Sequence, residues 1–216
     1  MAEARPYATT VCPYCSLAVD PLPKAKKRCP HCGRPIYVRS GPDGYRYLLQ
    51  EVDLPVLEAA WAGYHEREEY RRRVAAYDED FDELEAELQR KDPRYTAHDV
   101  WWRASNRRVL DALKRGDWFE AETVYRDQAR DLFDRDKPWV DIARAGFKME
   151  LRRMDMELRQ IGEAIARAEV LACPCMRCQR DNGRVTDVRT EVSNPLLPHD
   201  DCLNGWCSCD YSPVIY

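Results

Sequence analysis

Four cysteines open the chain in the order Cys12-x2-Cys15-x13-Cys29-x2-Cys32. Six more close it at positions 173, 175, 178, 202, 207 and 209, and none lies between the two groups. Cysteine used as core filler would scatter, so the two groups read as two separate metal modules. A Cys-x2-Cys turn aims two thiolates at one point, and two such turns complete the tetrahedron that Zn²⁺ prefers. Cys12, Cys15, Cys29 and Cys32 are therefore expected to hold one structural zinc, with Gly33 giving the backbone its freedom where the second turn closes. The redox alternative for "CPYC" and "CPHC" needs a cysteine pair at a helix N-terminus. Prolines interrupt the segment between the pairs, so it offers no such helix. In the second group the clearest pair is Cys175 and Cys178, followed by the turn "DNG". Cys202 and Cys207 are the expected partners, with Cys209 and His199 as rivals. Cys173 is set aside because it would sit at a helix exit.

Lys24, Lys26, Lys27 and Arg28 form a basic loop between the first two cysteine pairs. They are candidate phosphate contacts for a nucleic acid, against a plain solvated loop that offsets the anionic thiolates. The formal charge of the chain is −4, which argues against a general nucleic-acid coat. No phosphate-binding glycine loop, dinucleotide fingerprint, nucleophile elbow or HExxH pair is present, so the sequence supports a non-catalytic protein. No apolar run reaches membrane-spanning length and no signal peptide is evident. The expectation is a cytoplasmic chain whose thiols stay reduced or metal-bound.

The elements that must position these groups follow from periodicity. "RPIYVRS", "GPDG" and "YRYLLQ" read as strand, turn and strand, the hairpin a zinc ribbon needs. A first long helix is expected from Asp53 to Arg90, where Tyr70, Val74, Tyr77, Phe81, Leu84 and Leu88 step as a heptad stripe. A helical hairpin follows, Thr96–Arg115 and then a helix capped by Asp117. A second long helix starts at Asp136 and Pro138 and runs to about Ala168, with a stripe of Phe147, Leu151, Met154, Leu158, Ile161, Ile165 and Ala168. The two stripes are expected to pack on each other within the chain, with a dimer through them as the alternative. The fold class is thus mainly α: a four-helix middle over 51–171, flanked by a β zinc ribbon over 1–50 and a small zinc-binding module over 172–216, with two zinc ions in all.

Three resemblances accompany this reading. The segment "GDWFEAETVYRDQARDLF" resembles the second helix of a tetratricopeptide repeat, although no second copy occurs at the repeat period. Cys175, Cys178, Gly183, Pro198, His199, Cys202, Cys207 and Cys209 fall in the order seen in the cysteine-rich tail of the minor head protein family of tailed phages. That likeness covers about 40 residues and departs from the family by the insertion "LNGW". It implies a similar C-terminal fold and a head-associated structural role. The chain as a whole resembles bacterial and phage proteins that join an N-terminal zinc ribbon to helices, a likeness that names no activity. The functional expectation is a zinc-stabilised scaffold or adaptor that binds a protein partner. A nucleic-acid-binding ribbon and a phage-derived structural protein are the alternatives.

Overall fold

The computed structural model describes residues 6–162 and 165–215; the expected fourth helix at 163–164 and the ends of the two terminal modules (1–5 and 216) lie outside them. The described residues contain six α-helices and two three-stranded sheets. They fall into two compact units. One comprises the chain up to Ala76 with Phe81–His98, and the other comprises Tyr77–Asp80 with the chain from Asp99 onward.

In the first unit, β1 (Lys27–Arg28), β2 (Pro35–Ser40) and β3 (Arg46–Leu49) form an antiparallel sheet in that order. The register pairs Tyr37 with Leu49 and Ser40 with Arg46. The turn "GPDGY" closes through a bond from the Gly41 amide to the Tyr45 carbonyl, and Gly44 takes a φ of +86° that suits glycine. Alternation along β2 sends Ile36 and Val38 to one small core with Cys12, Val19, Cys29 and Leu48. Helix α1 (Leu54–Ala75) follows, with Pro55 in its first turn. Its Trp61 donates to the Ser40 carbonyl at 2.9 Å, and Gln50 donates to the Pro13 carbonyl at 2.7 Å, so the helix start is tied to the ribbon.

The first long helix of the sequence reading is two helices. Helix α1 stops at Ala75, and α2 covers Phe81–Lys91, with Asp78 between them at a φ of +60°. Asp78, Glu79 and Asp80 explain the break. Three carboxylates are unfavourable at a helix C-terminus and favourable just before a helix N-terminus. The stripe is divided accordingly: Tyr70 and Val74 are buried from α1, and Phe81, Leu84 and Leu88 from α2. Arg67 bridges Asp82 and Glu85, and Arg71 reaches Asp82, which clamps the two helices together.

In the second unit, α3 (Ala97–Arg115) and α4 (Trp118–Asp134) form the expected hairpin. Gly116 turns at a φ of +71°, and the Asp117 carboxylate accepts from the Glu120 amide at 3.0 Å, a regular N-cap. Helix α5 covers Val140–Gln160 and lies along α4. The close approach is at Gly146, where an added Cβ would meet Tyr125 Cβ and Arg126 Cγ at 3.4 Å. Asp136 does not cap this helix; it sits in the preceding turn at a φ of +53°, and Trp139 takes the N-cap position.

The expected run of that helix to Ala168 is also corrected. It ends at Gln160 because Gly162, at a φ of +96°, donates back to the Arg159 carbonyl and closes the last turn. Ile161 and Ile165 are exposed, while Ala168 is fully buried in a strand. That strand, β4 (Arg167–Leu171), is the centre of a sheet in the order β5-β4-β6, with β5 (Val185–Asp187) and β6 (Asp210–Val214) both antiparallel to it. A short helix, α6 (Val188–Ser193), leads out of β5. Phe147, Leu151, Met154 and Leu158 of α5 share one core with Ala168, Val170, Val188, Leu197 and Tyr211. The α5 stripe therefore seats the C-terminal module. Among the described residues no helix is long and apolar enough to cross a membrane.

Candidate metal centres

All ten cysteines are free thiols. The sulfurs of Cys12, Cys15, Cys29 and Cys32 lie within 4.8 Å of one another, as the spacing required. Cys12 and Cys32 are 3.8 Å apart, and Cys15 and Cys29 are 3.9 Å apart. In a tetrahedron of metal–sulfur bonds of about 2.3 Å, the sulfur–sulfur edges are about 3.8 Å. The group can hold a metal ion with almost no movement.

The two cysteine pairs are built alike. In the first, the Ser16 amide donates to the Cys12 carbonyl at 2.9 Å and the Tyr14 amide to Cys12 Sγ at 3.4 Å. In the second, the Gly33 amide donates to the Cys29 carbonyl at 3.0 Å and the His31 amide to Cys29 Sγ at 3.4 Å. Each turn closes on a left-handed residue, Ser16 at +61° and Gly33 at +71°. Burial acts against ionisation of Cys29, but the amides of Cys32 and His31 hold its thiol down to about 6, ready to be a thiolate ligand. His31 is not in the sulfur group; its Nε2 lies 3.0 Å from the Ala18 carbonyl.

The basic loop beside this group is exposed along its length. Lys26 donates to the Tyr37 hydroxyl at 2.9 Å and stands over that ring, and Arg28 donates to the Gly33 carbonyl at 3.1 Å. Lys27 is in β1 with Arg28, and Lys24 lies in the turn before it.

The C-terminal centre departs from the expected ligand set. Cys175, Cys178, Cys202 and Cys207 do not gather at one point. Cys178 instead groups with His199, Cys207 and Cys209, all four buried and within 4.8 Å. A second group joins Cys173, Cys178 and Cys202. The sulfur of Cys175 neighbours those of Cys178 and Cys202. The sequence pattern puts Cys173 at a helix exit. It is in the centre because the segment before it is strand β4, which delivers it beside Cys209, whose sulfur accepts from the Cys173 amide at 3.2 Å.

His199 Nδ1 is 3.5 Å from Cys209 Sγ and 3.7 Å from Cys207 Sγ. A tetrahedral ion with metal–nitrogen bonds of about 2.0–2.1 Å and metal–sulfur bonds of about 2.3 Å gives edges of about 3.6 Å. The other ring nitrogen, Nε2, is 3.2 Å from Asp181 Oδ2. A carboxylate only accepts, so it places the proton on Nε2 and leaves the Nδ1 lone pair facing the sulfurs. Burial acts against ionisation of Asp181, but Arg180 and His199 hold its carboxyl below the usual range. The role of Asp181 had a visible trace in the "DNG" turn, which was read only as a turn.

No family model, curated protein or solved structure matches this chain.

The segment "LNGW" has a structural use. Trp206 stacks 4.6 Å from Trp139 and 5.4 Å from Phe133, with Arg130 over both Trp206 and Phe133. It anchors the cysteine-bearing loop to the end of α4 and the start of α5. The remaining tryptophans serve the helices: Trp101 is fully buried, and Trp118 packs beside Ala112, Ala121 and Met149.

Proposed function

We propose that this protein is a non-catalytic, zinc-stabilised scaffold whose two terminal modules fold around metal in a reducing compartment and whose helices present surface to a protein partner. The observation that carries this reading is the closure of both centres. Cys12, Cys15, Cys29 and Cys32 fill four positions with protein donors, and so do Cys178, His199, Cys207 and Cys209. A catalytic zinc keeps one position open for water or substrate, whereas a structural one does not. Zinc is the ion of choice because sets of four thiolates, or three thiolates and an imidazole, in a tetrahedron are its ordinary structural ligands. The ribbon core is small, six buried residues with partly buried neighbours, so metal binding supplies much of its folding free energy.

A phage-derived, head-associated structural role is the second reading. It is favoured because Cys178, His199, Cys207 and Cys209, which carry the likeness to minor head proteins, belong to the residues that converge. The nucleic-acid reading is weaker, since Lys26 and Arg28 are turned onto their own ribbon.

The test is elemental analysis of the full chain purified without added metal, followed by chelation monitored by circular dichroism and thermal melting. Bound zinc, and loss of the cooperative transition on its removal, is the expected result. A metal-free chain that melts as a folded protein would overturn the proposal. A salt-sensitive affinity for DNA or RNA in the same preparation would favour the nucleic-acid reading instead.

A further inference from the structure

We propose that the C-terminal centre holds two zinc ions bridged by the single thiolate of Cys178. This rests on the reading of the centres as zinc sites and goes beyond it in number, ligand set and chemistry.

Three observations carry it. First, Cys178 is the one residue common to both groups of converging donors, with His199, Cys207 and Cys209 on one side and Cys173 and Cys202 on the other. Second, Cys175 and Cys178 form a knuckle of the same construction as those of the ribbon. The Gln179 amide donates to the Cys175 carbonyl at 3.0 Å, as Ser16 does to Cys12 and Gly33 to Cys29. The amides of Arg177 and Leu203 both donate to the Cys175 sulfur, the latter at 3.3 Å. A knuckle directs both of its sulfurs to one ion, yet Cys178 also faces the group that excludes Cys175. Only a shared sulfur satisfies both. Third, the donors divide evenly. Cys178, His199, Cys207 and Cys209 gather at one position, and Cys173, Cys178 and Cys202 at the other; Cys175, whose sulfur lies against those of Cys178 and Cys202, is the fourth donor the second ion would take, so each ion has four ligands when Cys178 counts twice. A thiolate has lone pairs to spare for a second cation, and tetrahedral zinc needs four donors.

A single ion would leave Cys173, Cys175 and Cys202 as buried sulfurs, each under a tenth exposed, crowded against a bound thiolate without a cation of their own. On binding, all six thiols release their protons to solvent, and no electron is transferred.

The experiment uses the full chain. The N-terminal centre serves as an internal reference for one zinc. Elemental analysis and native mass spectrometry should give three zinc per chain. Two would overturn the bridge while leaving the zinc reading intact, and none would overturn the zinc reading itself. Cys175→Ala should cost one ion, and Cys178→Ala should cost both C-terminal ions. Equal losses from the two variants would refute the shared ligand. Because either variant can misfold, the wild-type chain loaded with cadmium-113 gives an independent readout. Three resonances are expected, two of them split by coupling to each other through the common sulfur. Three uncoupled resonances, or two, would overturn the proposal.

Discussion

Replacing Asp181 should weaken metal binding at the C-terminal centre and leave the N-terminal centre untouched. The His199 side chain is 1% exposed, so its Nε2–H has no water to turn to if the Asp181 carboxylate is lost. That carboxylate fixes which ring nitrogen carries the proton and makes Nδ1 a better donor. Removing such an outer partner lowers metal affinity by roughly 10–100-fold, or about 1.4–2.7 kcal/mol. The two obvious variants should divide that range. Asp181→Asn keeps an oxygen that can accept from Nε2–H and loses only the charge, so about 10-fold is expected. Asp181→Ala leaves a buried donor unpaired, so the loss should approach about 100-fold. The assay is competition with a chromophoric chelator at fixed pH, in which zinc leaves the two centres in separate steps. The N-terminal step is the control, because Asp181 and the ribbon belong to different compact units. An alanine variant that releases its C-terminal zinc at the wild-type chelator concentration would refute this role of Asp181. So would an equal shift of both steps.

Three further outcomes are expected. Ser16 holds a φ of +61° at the close of the first cysteine turn, the position Gly33 takes in the second. Ser16→Gly should therefore raise the stability of the zinc-loaded ribbon by up to about 1 kcal/mol, and Gly33→Ala should lower it by a similar amount, both read by denaturant unfolding. At Gly146 a methyl group would just touch Tyr125 and Arg126, so Gly146→Ala should melt close to the wild type, whereas Gly146→Val should cost about 1–3 kcal/mol by forcing α4 and α5 apart. Glu150 is pushed up to about 8, first by burial and then by Asp210, against the pull of Arg126. Its folded-state pKa lies above the unfolded value of 4.5, so its stabilising share is full below pH 4.5 and fades as pH rises to about 8. Glu150→Gln should flatten that decline and gain on the wild type by on the order of 2 kcal/mol at pH 8, measured by unfolding at pH 5.5 and 8.

The helices show where local signals end. The hairpin of α3 and α4 was legible because Gly116 and Asp117 are a stop and a cap whose physics is local. The break between α1 and α2 was missed because the heptad stripe runs through it unbroken. Periodicity reports which face is apolar and is blind to a turn that preserves the phase. The overrun of α5 has a similar origin. Ala168 continued the stripe in register, while Gly162, the residue that ends the helix, carried the decisive signal. With the helix carried to about Ala168, into what is strand β4, Cys173 fell at its exit and outside the expected donors. One misplaced element thus removed one candidate donor.

The sequence alone determined that four N-terminal cysteines converge, because two regular turns separated by thirteen residues leave a ribbon little other way to fold. It also set the six C-terminal cysteines apart from those four as a second group. It could not assign the ligands there. The donors lie on a strand exit, a knuckle, a proline-rich turn and the loop before β6, and their meeting point is set by how β4 pairs with β5 and β6 and seats on α5. That is a packing outcome of residues far apart in the chain, and no spacing rule encodes it. Tertiary structure alone places His199 between two thiols and Asp181, and it alone puts Cys178 where two groups of donors need the same sulfur.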